Sequence, residues 1–125
     1  MDCRGTHMIA DLYGCNGLDD LALIDAALRD ATDAIGATLI DLRLHAFGPG
    51  QGVTGVALLA ESHVSIHTWP EHSYAAVDVF VCGPSADPEA GIRLLCSRLH
   101  AARSEVSCHK RGHALGEVGE FSCAS

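Results

Sequence analysis

The sequence predicts one two-layer α/β domain: an antiparallel-rich sheet with two helices on one face. Three observations carry that expectation. Several segments alternate apolar and polar residues at the period of two expected of a half-buried strand. Two others repeat apolar residues at steps of three and four, as a helix with one buried stripe does. Finally, 125 residues, 48% of them hydrophobic and with no low-complexity linker, suit a single core, so residues 1–125 are taken as one domain.

The first strand runs from His7 to Tyr13, with Met8, Ala10 and Leu12 pointing one way and His7, Ile9, Asp11 and Tyr13 the other. Asn16-Gly17 turns the chain. From Leu18 a helix is expected, striped by Leu21, Ile24, Leu28, Ala31 and Ile35 and ended by Gly36 as a left-handed cap. Thr38 to Phe47 alternates again, setting Ile40, Leu42, Leu44 and Ala46 against Asp41, Arg43, His45 and Phe47. Gly48 to Gly52 is a turn by composition. Val53 to Ala60, apolar on both faces, reads as a central strand. Val64 and Ile66 then alternate with His63, Ser65 and His67 until Trp69-Pro70-Glu71 breaks the pattern. Tyr74 to Cys82 is a further strand, with Ala75, Val77, Val79 and Val81 opposite Tyr74, Asp78, Phe80 and Cys82. Asp87 and Pro88 open the second helix as N-cap and first helical residue, and Ile92, Leu95, Leu99 and Ala102 continue it. An edge strand is expected around Val106. Two helices cover one face of such a sheet, which leaves the other to a ligand surface, a second copy, or both.

Composition narrows the function. Sixteen acidic against eight basic residues give a net charge of -8, which disfavours nucleic acid and anionic membranes as partners and is compatible with a cationic small molecule. The start lacks the apolar core of a signal peptide and no apolar run is long enough to span a bilayer, so a cytoplasmic protein is expected. Cys3, Cys15, Cys82, Cys96, Cys108 and Cys123 include no C-x-x-C pair, and in that compartment they are expected as free thiols.

The alternation gathers His63, Ser65 and His67 on one face of one strand, and Tyr74, Asp78 and Cys82 on one face of another. Taken alone, these read more readily as partly exposed sheet residues than as a site. The run Glu61-Ser62-His63-Val64-Ser65-Ile66-His67-Thr68-Trp69-Pro70-Glu71, followed by Tyr74-Ala75-Ala76-Val77-Asp78-Val79-Phe80-Val81-Cys82-Gly83, resembles the signature of the small bacterial and archaeal S-adenosylmethionine decarboxylases. Gly5 to Tyr13, His45-Ala46-Phe47 and Gly52 to Val56 resemble the same family, so the likeness spans roughly residues 5 to 110.

The resemblance implies a proenzyme that cuts itself between Glu61 and Ser62, giving a β chain of residues 1–61 and an α chain of residues 62–125. By the same resemblance Ser62 becomes a covalent pyruvoyl group that forms a Schiff base with the substrate amine, His67 is the processing base, Thr54 its helper hydroxyl and Cys82 the proton donor to the substrate. A pyruvoyl carbonyl also answers a chemical need: decarboxylation requires an electron sink, and Lys110, the only lysine available to pyridoxal phosphate, lies in a polar segment near the tail. Glu71 is implied at the ribose hydroxyls, with Phe47 and Trp69 against the adenine and sulfonium. His7, Asp11 and His45 are secondary candidates for the same surface. The family also implies a homodimer that packs sheet on sheet into four layers, αββα.

Two features depart from the family pattern: the loop Gly48 to Gln51 is about one residue longer, and Ala46 stands where a basic side chain is common. Both bear on the substrate, and arginine or ornithine remain alternatives under the same processing. Three other classes compete. His63 with His67, or Cys108 with His109 and His113, offer metal-ligand chemistry, although four strand residues span about 13 Å, too far to share an ion. No metal is expected. Ser62, His67 and Asp78 suggest a serine hydrolase, but the Gly-x-Ser-x-Gly elbow is absent. A non-enzymatic interaction domain would leave the chain uncut.

Overall fold

The computed structural model describes residues 4–112. In chain order it contains β1 (Gly5–Tyr13), α1 (Leu21–Ile35), β2 (Leu39–Ala46), β3 (Val53–Leu59), β4 (Ser62–Trp69), a single 3-10 turn (Pro70–His72), β5 (Tyr74–Val81), α2 (Pro88–Arg98) and β6 (Arg103–Arg111). The six strands form one sheet in the order β2-β3-β4-β5-β1-β6, antiparallel at every pairing. The two-layer expectation is met. Neither helix is long and apolar enough to cross a membrane.

Local chemistry sets the helix ends. The Asp20 carboxylate accepts the Leu23 N–H at 3.1 Å, and Gly36 closes α1 at φ 85, its N–H reaching Thr32 and Asp33 carbonyls. Asp87 caps α2 in the same way through the Ala90 N–H, with Pro88 in the first turn. Between the helices Gly91 sits so close to Ile35 that a Cβ would come within 2.7 Å of its side chain and displace it.

The core is the layer between helices and sheet. Ile24, Leu28 and Ile35 of α1 and Ile92 and Leu95 of α2 are buried on Ala10, Leu12, Ala57, Val64, Ile66, Val77 and Val79. The opposite face of the sheet stays open, and Ile9, Val56 and Leu58 are 41%, 36% and 46% exposed on it. Pairing aligns Ile9 with Asp78, Asp78 with Ser65 and Ser65 with Val56, so these residues share a single row.

Four details differ from the sequence expectation. Leu21 is 42% exposed although the helical period sets it in line with Leu28; it is the first residue of α1, at the very end of the stripe. Leu18 is buried nonetheless, from the loop. Ile40 is 65% exposed because β2 bulges between Leu39 and Asp41; the extra residue turns outward and Leu39 takes the inward place. The second helix stops at Arg98, His100 follows at φ 56, and Ala102 lies in the link to β6 with its N–H on the Tyr13 carbonyl.

Candidate active site

The candidate residues fall at two ends of β4. One end is the β3–β4 hairpin, whose two-residue link is Ala60-Glu61. Glu61 has φ 66 while Ala60 has none of the positive values, which is the sign pattern of a type II turn. Two-residue hairpins favour the primed turns, and the second central position of type II favours glycine. A glutamate there costs about 1 kcal/mol of backbone strain, in the residue whose carbonyl precedes Ser62. Ser62, the first residue of β4, accepts the Cys82 N–H on its Oγ at 3.3 Å, so the residue just past β5 is held beside it. Nearby His63 stacks on Phe80 with centroids 5.7 Å apart.

The other end is aromatic. The His67 ring lies between Trp69, at 4.1 Å, and Phe47, at 5.2 Å. His45 meets Phe47 edge-on at 5.4 Å. Trp69 stacks in turn on Tyr74, Tyr74 on Tyr13, and the Arg103 guanidinium covers the Tyr13 ring at 4.1 Å. Thr54 is paired across from His67 on β3, with its hydroxyl toward the Ile66 carbonyl at 3.5 Å. Glu71 follows in the 3-10 turn, exposed.

Between the two ends the open face is polar. The Asp78 carboxylate accepts the Ser65 hydroxyl on one oxygen and lies 2.8 Å from His7 Nε2 on the other. The Tyr74 hydroxyl donates to Asp11 at 2.5 Å, and that bond, with burial second, pushes the phenol up to about 12. A shallow cavity of about 420 Å³ here is lined by His7, Asp11, Thr54, Ser65, His67 and Asp78.

The geometry brings Phe47, Thr54, His67 and Trp69 together, and separately Glu61, Ser62 and Cys82. It does not bring the two groups together. Ser62 and His67 are five positions apart on one strand, roughly 17 Å, and of opposite parity, so their side chains leave opposite faces. Among the described residues no group of three or more His, Cys, Asp or Glu converges on a metal site. Cys108 and His109 lie exposed on the β6 edge, and His113 lies outside the described residues. Among the described residues Cys15, Cys82, Cys96 and Cys108 are free thiols, and Cys3 and Cys123 lie outside them.

A family profile described as S-adenosylmethionine decarboxylase matches residues 6–112. The chain belongs to the S-adenosylmethionine decarboxylase family. Proteins named S-adenosylmethionine decarboxylase proenzyme resemble it closely. That of Thermomicrobium roseum is 49% identical over 90% of this chain and 97% of its own length. That of Methanococcus aeolicus is 50% identical over 86% and 93%. Among solved structures, the adenosylmethionine decarboxylase from Aquifex aeolicus superposes with a TM-score of 0.83 at 36% identity, covering 96% of this chain and all of that one.

Within this decarboxylase fold, two residues have parts that the sequence did not reveal. Thr68 is fully buried between His67 and Trp69; its hydroxyl donates to the Leu18 carbonyl at 2.7 Å and accepts the Val53 N–H at 2.9 Å. A polar residue at an inward position of β4 was the available signal. Asp19 accepts two backbone N–H groups from the β2–β3 turn, a contact made across 31 and 33 residues of chain.

Proposed function

We propose that the protein is a cytoplasmic pyruvoyl-dependent S-adenosylmethionine decarboxylase that matures by cutting itself between Glu61 and Ser62, and that its site is completed by a second copy. One observation carries this reading: the residue to be converted and the residues to act on it sit at opposite ends of β4, roughly 17 Å apart. Two sheets packed face to face about a two-fold axis bring unlike ends together twice, because an isologous interface repeats each contact with its roles exchanged. The exposed Ile9, Val56 and Leu58 give that packing its apolar area. The result is an αββα dimer with two sites.

The residues at the hairpin fit a self-made end group. Ser62 Oγ adjoins a peptide whose preceding residue is already in the left-handed region. Attack of that hydroxyl on the Glu61 carbonyl moves the acyl group from nitrogen to oxygen. A base then takes the Ser62 Cα proton and Glu61 leaves as a carboxylate; water finally displaces ammonia from residue 62. We assign the base to His67 of the partner subunit and the helping hydroxyl to Thr54 of the partner subunit. Once formed, the pyruvoyl carbonyl supplies the sink for the electron pair left when carbon dioxide departs.

The other residues bind and protonate. Phe47 and Trp69 present flat faces to the adenine and sulfonium, and Glu71 offers a carboxylate to the ribose hydroxyls. Cys82, placed beside residue 62 before cutting by the bond from its N–H to Ser62 Oγ, holds on Sγ the proton delivered to the substrate Cα. The product is decarboxylated S-adenosylmethionine, an aminopropyl donor for spermidine synthesis.

The test pairs intact mass with carbon dioxide release. The wild type should give two fragments and release carbon dioxide from S-adenosylmethionine in preference to arginine or ornithine; Ser62→Ala should stay one chain and release none. Preference for an amino acid would keep the processing and change the substrate. An uncut chain that is active would end the proposal.

A further inference from the structure

We propose that Asp19 is a positioning residue for the aromatic end of the site, holding the Phe47 ring against His67 by clamping the β2–β3 turn. This rests on the reading of Phe47 as a wall of the adenine site. The turn has little to fix it from within. Gly48, Gly50 and Gly52 take φ of 133, 70 and 96, and three glycines in five residues leave the backbone many alternatives. Its own bonds are the Gln51 N–H to the Gly48 carbonyl and the Phe47 N–H to the Gly52 carbonyl, both 3.0 Å.

Asp19 supplies what the turn lacks. Its Oδ2 accepts the Gly50 N–H at 2.7 Å and its Oδ1 the Gly52 N–H at 3.1 Å, so both carboxylate oxygens are used and two turn residues are fixed relative to one another. Gly52 is the residue whose carbonyl holds the Phe47 N–H. Asp19 is itself anchored, since Leu18 is buried and its carbonyl takes the Thr68 hydroxyl at 2.7 Å. That hydroxyl also accepts the N–H of Val53, and Gly52 lies so near the Thr68 carbonyl that a Cβ would collide with it. The circuit from Leu18 through Asp19, the turn, Val53 and Thr68 therefore closes beside His67 and Trp69. Asp19 touches none of the reacting groups. It determines where a ring stands.

Three readouts on full-length cleaved protein test this. Chymotrypsin cutting after Phe47 measures the clamp without ligand, and Asp19→Ala should accelerate it about tenfold. With S-adenosylmethionine the same variant should raise KM about tenfold while kcat stays within about twofold, because binding is lost without loss at the reacting centre. Titrating the fluorescence of Trp69, the sole tryptophan, with 5′-methylthioadenosine should give a matching loss of affinity. Self-cleavage should be normal, since His67 keeps its place on β4, paired with Thr54 and stacked on Trp69, when the Phe47 ring is released. Should Asp19→Ala fold poorly, Asp19→Asn keeps the size and one acceptor and should shift each readout about threefold. Unaccelerated proteolysis overturns the clamp; accelerated proteolysis with unchanged KM, or a fall in kcat at constant KM, overturns the positioning role. A wild type inert on S-adenosylmethionine whose Asp19→Ala form is still cut faster would instead refute the substrate reading and support the clamp.

Discussion

At its Ser62 end β4 hangs on a two-residue link with a glutamate at φ 66, while at its Trp69 end it is packed into a row of rings and knitted through Thr68 to Leu18 and Val53. The first end stores strain in a single residue, beside the peptide to be cut. The second spreads its stability over several stacked groups and a fully satisfied buried hydroxyl. Strain suits a bond that is to be broken once, and preorganised packing suits a surface that must receive substrate repeatedly. On the proposed reading the bond to be cut lies at the first end, and the second holds the walls of the substrate site together with the groups that act on the partner's bond.

The strongest challenge to this division is a mixing experiment. His67→Ala alone should fail to cut, as should Ser62→Ala, but dimers co-expressed from the two should cut the His67→Ala chain, because its Ser62 meets an intact His67 of the partner subunit. Mass spectrometry distinguishes the chains, and absence of cutting in the mixed dimer would show that the base acts within its own chain. Next in size is Cys82→Ala. Cutting should be normal and turnover about a hundredfold slower or self-inactivating, the usual scale for losing a placed proton donor; durable wild-type turnover would remove the thiol from that role. At the recognition end, Phe47→Ala should raise KM about tenfold with normal cutting, in line with roughly 1–3 kcal/mol for stacking an aromatic ring on a base. If kcat falls instead, the two ends are less separate than drawn.

The smallest effect is alkaline. Tyr74 is held protonated by its bond to Asp11 and then by burial, to about 12. A phenol raised in the folded state favours folding below its ordinary value near 10 and loses that contribution as pH rises through about 12. In a Tyr13→Phe background, tyrosinate absorbance should therefore appear well above pH 10, and Asp11→Asn should bring it down. A transition at the ordinary value in the folded protein would contradict the Asp11 bond.

Much of the fold is legible in the sequence because alternation and helical spacing depend on near neighbours. His63, Ser65 and His67 do share a face against Val64 and Ile66, and Gly36 does cap the first helix. Ile40 misleads because a bulge shifts parity by one, which no period of two foretells. The hallmark around Ser62 was visible, as was its five-residue distance from His67; that the distance exceeds what one chain can close became plain only with β4 drawn as a continuous strand. Asp19 was invisible for another reason. Its partners are backbone amides more than thirty residues away, and backbone amides leave no mark in a sequence.

The strand order carries a consequence for the matured protein. Cutting after residue 61 would assign β1, β2 and β3 to one fragment and β4, β5 and β6 to the other, yet the sheet runs β2-β3-β4-β5-β1-β6. β1 is sandwiched between two strands of the opposite piece, and the ladders β3 to β4, β5 to β1 and β1 to β6 all bridge the nick. The halves are woven rather than abutted. Separating them would mean unravelling the sheet, so a covalent break at the hairpin would leave a molecule expected to melt, and to hold its shape, as a single piece.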